Sequence, residues 1–245
     1  MQANPDKFQL MVLSSNGLKQ ISINIDDNVC IKSEPFVKIL GILIDENLKF
    51  NEHVSSSCKK AARQLNALAR IAKYLDFKSR KLIYNSFIRS NFTYCPIVWH
   101  FCGKENNNKL EKVQERALRI LYDDRSSPYS DLLDRAGTTT VLISRLKCMA
   151  LEVFKCVNGS NTPSLNKLFE VKDTDYSFRD AVKLIQPRRN SVNNGLRSFS
   201  YVGSKLWNDL PRYMKESLHD DIQCFKSCLN NWNGPTDIDT FSYYL

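Results

Sequence analysis

The apolar positions of this chain change period near residue 50, from short bursts and alternations to a helical spacing. Residues 8–13 form one apolar run, and Ile21, Ile23 and Ile25 alternate along one face of residues 20–25. Turn residues at 24–28 precede a further short run at 29–31, the signature of a hairpin. A last run, 37–44, surrounds Gly41, the kind of residue that permits close backbone approach. The first 45 residues therefore read as strands.

Beyond residue 51, Val54, Cys58, Ala61, Leu65, Leu68, Ala72 and Leu75 recur at alternating steps of four and three, which predicts a long amphipathic helix. A second helix is expected over 78–91, followed by an apolar segment, 94–99, expected to be buried. A third helix is expected over 107–122, with Leu110, Val113, Ala117 and Leu121 inward. Ser126-Ser127-Pro128 should start a short helix ending near Gly137, serine capping and proline in the first turn. Another long helix is expected over 139–157, closed by Asn158-Gly159. Residues 160–195 are polar and broken, and a last helix is expected over 221–232, ahead of Gly234-Pro235.

Composition adds that a core can form, since 42% of the 245 residues are hydrophobic and 11% aromatic, which excludes wholesale disorder. No stretch approaches the length of a membrane span and the first seven residues carry no apolar signal core, so a cytoplasmic or nuclear location is expected. The eight cysteines should then stay reduced, and none forms the C-x-x-C pair of a zinc ribbon or thioredoxin-like motif. The net charge of +9 favours an anionic partner, nucleic acid ahead of an acidic membrane, or simply a soluble basic protein.

The charge is patterned. On the first long helix Lys59, Arg63, Arg70 and Lys73 form a row completed by Asn66, roughly 150° from the apolar stripe. Such a row can lie along a phosphate backbone, or it can be a solvated helix face. On the third helix Lys112, Arg116 and Arg119 share the surface with Glu111 and Glu115, and pairing within the helix is expected to account for most of that charge. Arg188, Arg189 and Arg197 are either further phosphate contacts or loop charges.

Three acidic pairs, Asp26-Asp27, Asp123-Asp124 and Asp220-Asp221, suggest polymerase chemistry, which needs clustered carboxylates to hold two Mg²⁺ ions. Reverse transcriptases place Tyr or Phe two before the pair; here those positions hold Asn24, Leu121 and Leu218. Neither His100 and Cys102 near Cys95, nor His219, Cys224 and Cys228, supply four ligands at zinc spacing. His53 and His100 have no neighbouring nucleophile, and no phosphate-binding glycine loop is present. No catalytic residue and no metal ligand is assigned.

Several composite motifs nevertheless resemble one family. Asn4-Pro5-Asp6-Lys7 is similar to the Asn-Pro-x-Lys motif that follows the catalytic hairpin of non-LTR retrotransposon reverse transcriptases. Residues 37–45, then Leu48-Lys49-Phe50 and His53, resemble their LG-x-x-x-D…L…H signature. Tyr94-Cys95 with Trp99, the run 114–119, Arg197-Ser198-Phe199-Ser200-Tyr201 and Leu206-Trp207-Asn208-Asp209-Leu210-Pro211 are similar to jockey/CR1-like elements, in order along nearly the whole chain.

The resemblance implies an α+β chain: a small antiparallel palm remnant over 1–48, a helical thumb over 49–135, and a mostly helical C-terminal extension over 136–245. It places Lys7 near the incoming nucleotide, Leu40 and Gly41 on the primer-grip strand, and Lys59, Arg63, Arg70 and Lys73 on a thumb helix that tracks template–primer. The fingers, most of the palm and the catalytic aspartates would precede residue 1, so no cofactor is expected in this chain and Mg²⁺ would belong to the missing palm. An RNA–DNA or DNA duplex is the expected partner and no membrane is. A second reading is an inert or co-opted helical relic, with a protein partner or self-association through open palm-remnant strands.

Overall fold

A computed structural model describes residues 7–13, 21–26, 29–172, 182–188, 195–216, 221–238 and 241. Asn4-Pro5-Asp6, Asp27, Arg189, His219 and Asp220 lie outside them. The architecture is α+β, two antiparallel hairpins followed by helices. Strands β1 (Ser22–Asp26) and β2 (Val29–Lys32) pair with an irregular register between Asn24 and Asp26, so the strand continues into residues expected to turn. Strands β3 (Phe36–Ile39) and β4 (Ile42–Asp45) form a second, separate two-stranded sheet. The alternating Ile21 and Ile23 are exposed. Residues 8–13 are not a strand: Leu10 makes one bridge to Ser33, and its carbonyl accepts from the Glu34 N–H at 2.8 Å.

Helix α1 (Asn51–Ile71) buries Val54, Ala61, Leu65 and Leu68, the stripe its spacing predicts, and tightens into a single turn over Ala72–Tyr74. Helix α2 (Phe77–Ile83) starts where the Asp76 carboxylate accepts from the Ser79 N–H. The helix widens over Tyr84–Arg89 before α3 (Ser90–Thr93). Such a bulge loosens the carbonyl ladder. Asn91 answers it, its amide donating to the Phe87 and Ile88 carbonyls and to Gln64 Oε1 on α1. This return leg lets α4 (Lys104–Tyr122) pack beside α1 in the same direction. Asn106 donates to Asn51 Oδ1 near the two helix starts, and Arg116 donates to Asn66 Oδ1 further along, both at 2.6 Å.

The segment 94–99 is only partly buried. Trp99 is inside, its Nε1–H donating to the Tyr94 carbonyl, while Tyr94 and Val98 are exposed. Before α5 (Tyr129–Ala136), Pro128 rather than serine occupies the cap position. The organising group is Asp124, whose carboxylate accepts from the Ser126 and Ser127 N–H groups and the Ser127 hydroxyl. Helix α6 (Val141–Val157) is capped by the Thr140 hydroxyl and followed by α7 (Pro163–Asn166). Helices α8 (Phe199–Asp209), α9 (Arg212–Glu216) and α10 (Ile222–Asn231) complete the described chain.

Two apolar cores result among the described residues. The first gathers Ile42, Phe50, the α1 stripe, Ile88, Trp99, Leu110, Leu118 and Leu132. The second gathers Met149, Val153 and Phe154 of α6 with Val202, Trp207, Met214 and Phe225. Helix α6 serves both, because Val141 belongs to the first core and Leu142 and Leu146 to the second. Glu111 of α4 ties the junction, its carboxylate accepting from the Val141 and Leu142 N–H groups and from the Tyr129 hydroxyl. Arg145 is 1% exposed there, donating to the His100 carbonyl, Cys102 Sγ and Asn107 Oδ1, with its guanidinium 5.0 Å from the Trp99 ring centroid.

Candidate nucleic-acid interface

The L-G…D…H residues make the joint between the second hairpin and α1. Leu40 and Gly41 are the two-residue turn between β3 and β4 rather than part of a strand, at φ 47° and 89°. Left-handed φ at both positions suits the twist of a tight hairpin, and Leu40 adopts it while 85% exposed. The Tyr94 hydroxyl donates to the Leu40 carbonyl at 2.6 Å, pinning the turn to the segment after α3. Asp45 then accepts from the N–H groups of Asn47, Lys49 and Phe50, holding a loop in which Leu48 and Phe50 also have positive φ. His53 Nδ1 accepts from the outward Leu43 N–H at 3.4 Å, and burial holds its pKa below the ordinary value. On the opposite strand, Gln9 Oε1 accepts from the Lys38 N–H. These motif residues thus form a scaffold, and side chains cover one outward N–H on each strand. Lys7 is exposed, two residues before Gln9.

The cationic row is exposed. Lys59, Arg63 and Arg70 lie on α1 with Asn66, whereas Lys73 falls in the tight turn beyond its end, 4.7 Å from the Tyr74 ring centroid. Arg63 Nε donates to the Lys59 carbonyl and Arg70 Nε to the Asn66 carbonyl, so each guanidinium is braced on its own helix. From residue 53 to 104 the chain carries ten Lys and Arg and one carboxylate, Asp76, an excess equal to the net charge of the whole protein. That local excess is the sequence signal for this surface, stronger than the row alone.

Pairing within α4 does not account for its charge. Arg119 pairs with Glu115 at 2.6 Å, but Glu111 is committed to the start of α6. Lys112 and Arg116 make no ion pair among the described residues, and Arg116 reaches across to Asn66 in the α1 row. Lys109 is exposed and donates to Asn106 Oδ1, while burial pushes the Cys58 thiol on α1 up to about 11, with Lys109 opposing the shift. Of the further arginines, Arg188 is exposed and Arg197 half-buried.

The acidic pair at 123–124 does not fit paired Mg²⁺ ions. Asp123 is the left-handed residue closing α4, and the hydrogen bonds from Ser127, then Arg135, hold Asp124 well below the usual carboxylate range. Asp221 stands at the start of α10 without capping it. Among the described residues no three His, Cys, Asp or Glu side chains gather as a metal site, and no helix is long and apolar enough to cross a membrane.

No family model and no solved structure matches the chain. Over 127 residues it is 24% identical to the "Probable RNA-directed DNA polymerase from transposon BS" of Drosophila melanogaster. The matched stretch is 50% of this chain and 14% of that protein, so the chain spans a small part of the relative's length. This similarity supports a relationship to reverse transcriptases.

Proposed function

We propose that this chain is a C-terminal reverse-transcriptase segment of the jockey/CR1-like non-LTR type, which binds template–primer through its first long helix and performs no polymerisation alone. The observation that carries the reading is the exposed row Lys59, Arg63, Arg70 and Lys73 within a stretch almost free of carboxylates. Each cation placed on a phosphate releases condensed counterions, so affinity should fall steeply with salt. In this reading α1 to α5 act as the thumb, and the hairpin carrying Leu40 and Gly41 positions them. Catalysis would need a palm from elsewhere, since Asp123 closes α4 through its backbone and the Asp124 carboxylate is taken by Ser126, Ser127 and Arg135.

Fluorescence anisotropy of a labelled RNA–DNA hybrid tests this at about 50 and 200 mM salt, where six to ten phosphate contacts predict a roughly 10³- to 10⁵-fold loss of affinity. The variant with Lys59, Arg63, Arg70 and Lys73 all replaced by Ala should lower the logarithmic salt slope by about 4. A folded wild-type protein that leaves the hybrid unbound at the lower salt overturns the proposal.

A further inference from the structure

The α1 row has a neighbour. Helices α1 and α4 run side by side in the same direction, with Asn51 beside Asn106 and Asn66 beside Arg116. On α4 the exposed Lys109, Lys112 and Arg116 recur at steps of three and four, which keeps them on one face. Arg116 Nη2 donates to Asn66 Oδ1, so this second row meets the first at its middle. Asn66 is the polar residue in the middle of the α1 row, and it spends its carbonyl oxygen on holding an arginine from the other helix.

We infer that Lys109, Lys112 and Arg116 form a second phosphate-contacting row, set in register with the α1 row by Asn66, so that the pair of helices grips both backbones of a nucleic-acid duplex. The inference rests on the nucleic-acid reading above and adds a second helix, with its own contact residues, to the interface. Two cation rows carried on neighbouring helices can each follow one backbone of a duplex, whereas a single strand offers phosphates to one row. Single-stranded nucleic acid is held by aromatic stacking platforms. The helical parts of the two rows, residues 59–70 and 109–116, contain no aromatic side chain, and the exposed Tyr74 stands past the end of α1 beside Lys73. Asn66 is a positioning residue, since it carries no charge and acts through Arg116.

The test compares a labelled RNA–DNA hybrid with a single-stranded RNA of equal length, using the full chain at about 50 and 200 mM salt. Replacing Lys109, Lys112 and Arg116 by Ala should lower the hybrid's logarithmic salt slope by about 3 and weaken single-strand binding less. Asn66→Ala should reduce hybrid affinity several-fold with the salt slope unchanged, and should have no further effect in the Arg116→Ala background. A merely structural role for Asn66 would show as a thermal shift instead, and would persist in that background. If the α4 variant binds like wild type while the α1 variant does not, the second row is a solvated face and the proposal falls, leaving the α1 reading intact. Equal or tighter binding of the single strand overturns the duplex assignment. Absence of all binding by wild type overturns both.

Discussion

Glu111→Ala should destabilise the protein by about 3 kcal/mol through groups far from it in sequence. Its carboxylate accepts from the Tyr129 hydroxyl at 2.9 Å, the Val141 N–H at 3.1 Å and the Leu142 N–H at 3.0 Å. The two amides are in the first turn of α6, where no intrahelical acceptor exists for them. Val141 and Leu142 are buried, so water replaces the lost acceptor poorly. Losing a helix N-terminal acceptor costs roughly 0.5–2 kcal/mol, and orphaning a buried donor roughly 1–3 kcal/mol. Burial, then Glu111, raises the Tyr129 pKa well beyond the phenol's ordinary range, so the hydroxyl remains a donor at any working pH. Tyr129→Phe removes one of the three bonds and should cost about 1 kcal/mol. At this chain length the alanine variant should melt roughly 6–12 °C lower by far-UV circular dichroism. Urea unfolding of both single variants and the double variant should give a coupling above about 0.5 kcal/mol. Additive effects, or a Glu111→Ala cost under about 0.5 kcal/mol, would refute the idea that this carboxylate joins the two cores.

Acid should unfold the protein partly through its buried histidines. His100 is fully buried with both ring nitrogens unpartnered among the described residues, and burial, then Arg145, holds its pKa well below the ordinary 6.5. The unfolded chain takes up that proton first, so stability present above about pH 6.5 is lost as pH falls, by up to about 1.4 kcal/mol per unit for one such group. His100→Phe should flatten this limb in pH-dependent urea titrations, leaving the smaller part due to His53, and an unchanged limb would exclude His100 as its source. Gly203→Ala should cost about 1–3 kcal/mol in the same unfolding assay, because the added methyl would meet Val153 Cγ2 at 2.9 Å and the Phe169 ring at 3.0 Å. A stabilised variant would show that those side chains yield freely. Leu40→Asn should raise stability by up to about 1 kcal/mol, since asparagine tolerates the left-handed turn far better than leucine, and a loss would mean that Leu40 packs against something.

Much of the helical first half was legible because its pattern is long. Apolar positions at helical steps predicted α1, which holds five of the seven, and Val54, Ala61, Leu65 and Leu68 of that stripe are buried. The cations opposite it were legible for the same reason. Helix α8 was not, although Tyr201, Val202, Leu206 and Trp207 are buried. Its apolar residues cover more than one stripe, and Gly203 inside it clears space for Val153 and Phe169. The segment 94–99 misled because hydropathy alone ignores the polar handle of Tyr94, which needs its hydroxyl near the surface to reach Leu40. The charge on α4 was misassigned to local pairing because Glu111 is claimed by amides thirty residues later, and no helical spacing encodes that. The L-G…D…H residues were readable as a motif, but their work as a turn, a loop clamp and a strand cover required the backbone.

The sharing of α6 between two cores bears on how this protein can be dissected. Limited proteolysis or truncation in the link from Ala136 to Val141 looks attractive, because helices α1 to α5 end just before it. Such a cut would deprive the upstream fragment of Val141, of the amides that occupy Glu111, and of the guanidinium that stands over Trp99. The downstream fragment would carry Arg145 into water with its three acceptors gone. Fragments divided there should express poorly as separate pieces yet associate when mixed, and a boundary that keeps α6 with the upstream helices should give the better-behaved recombinant fragment.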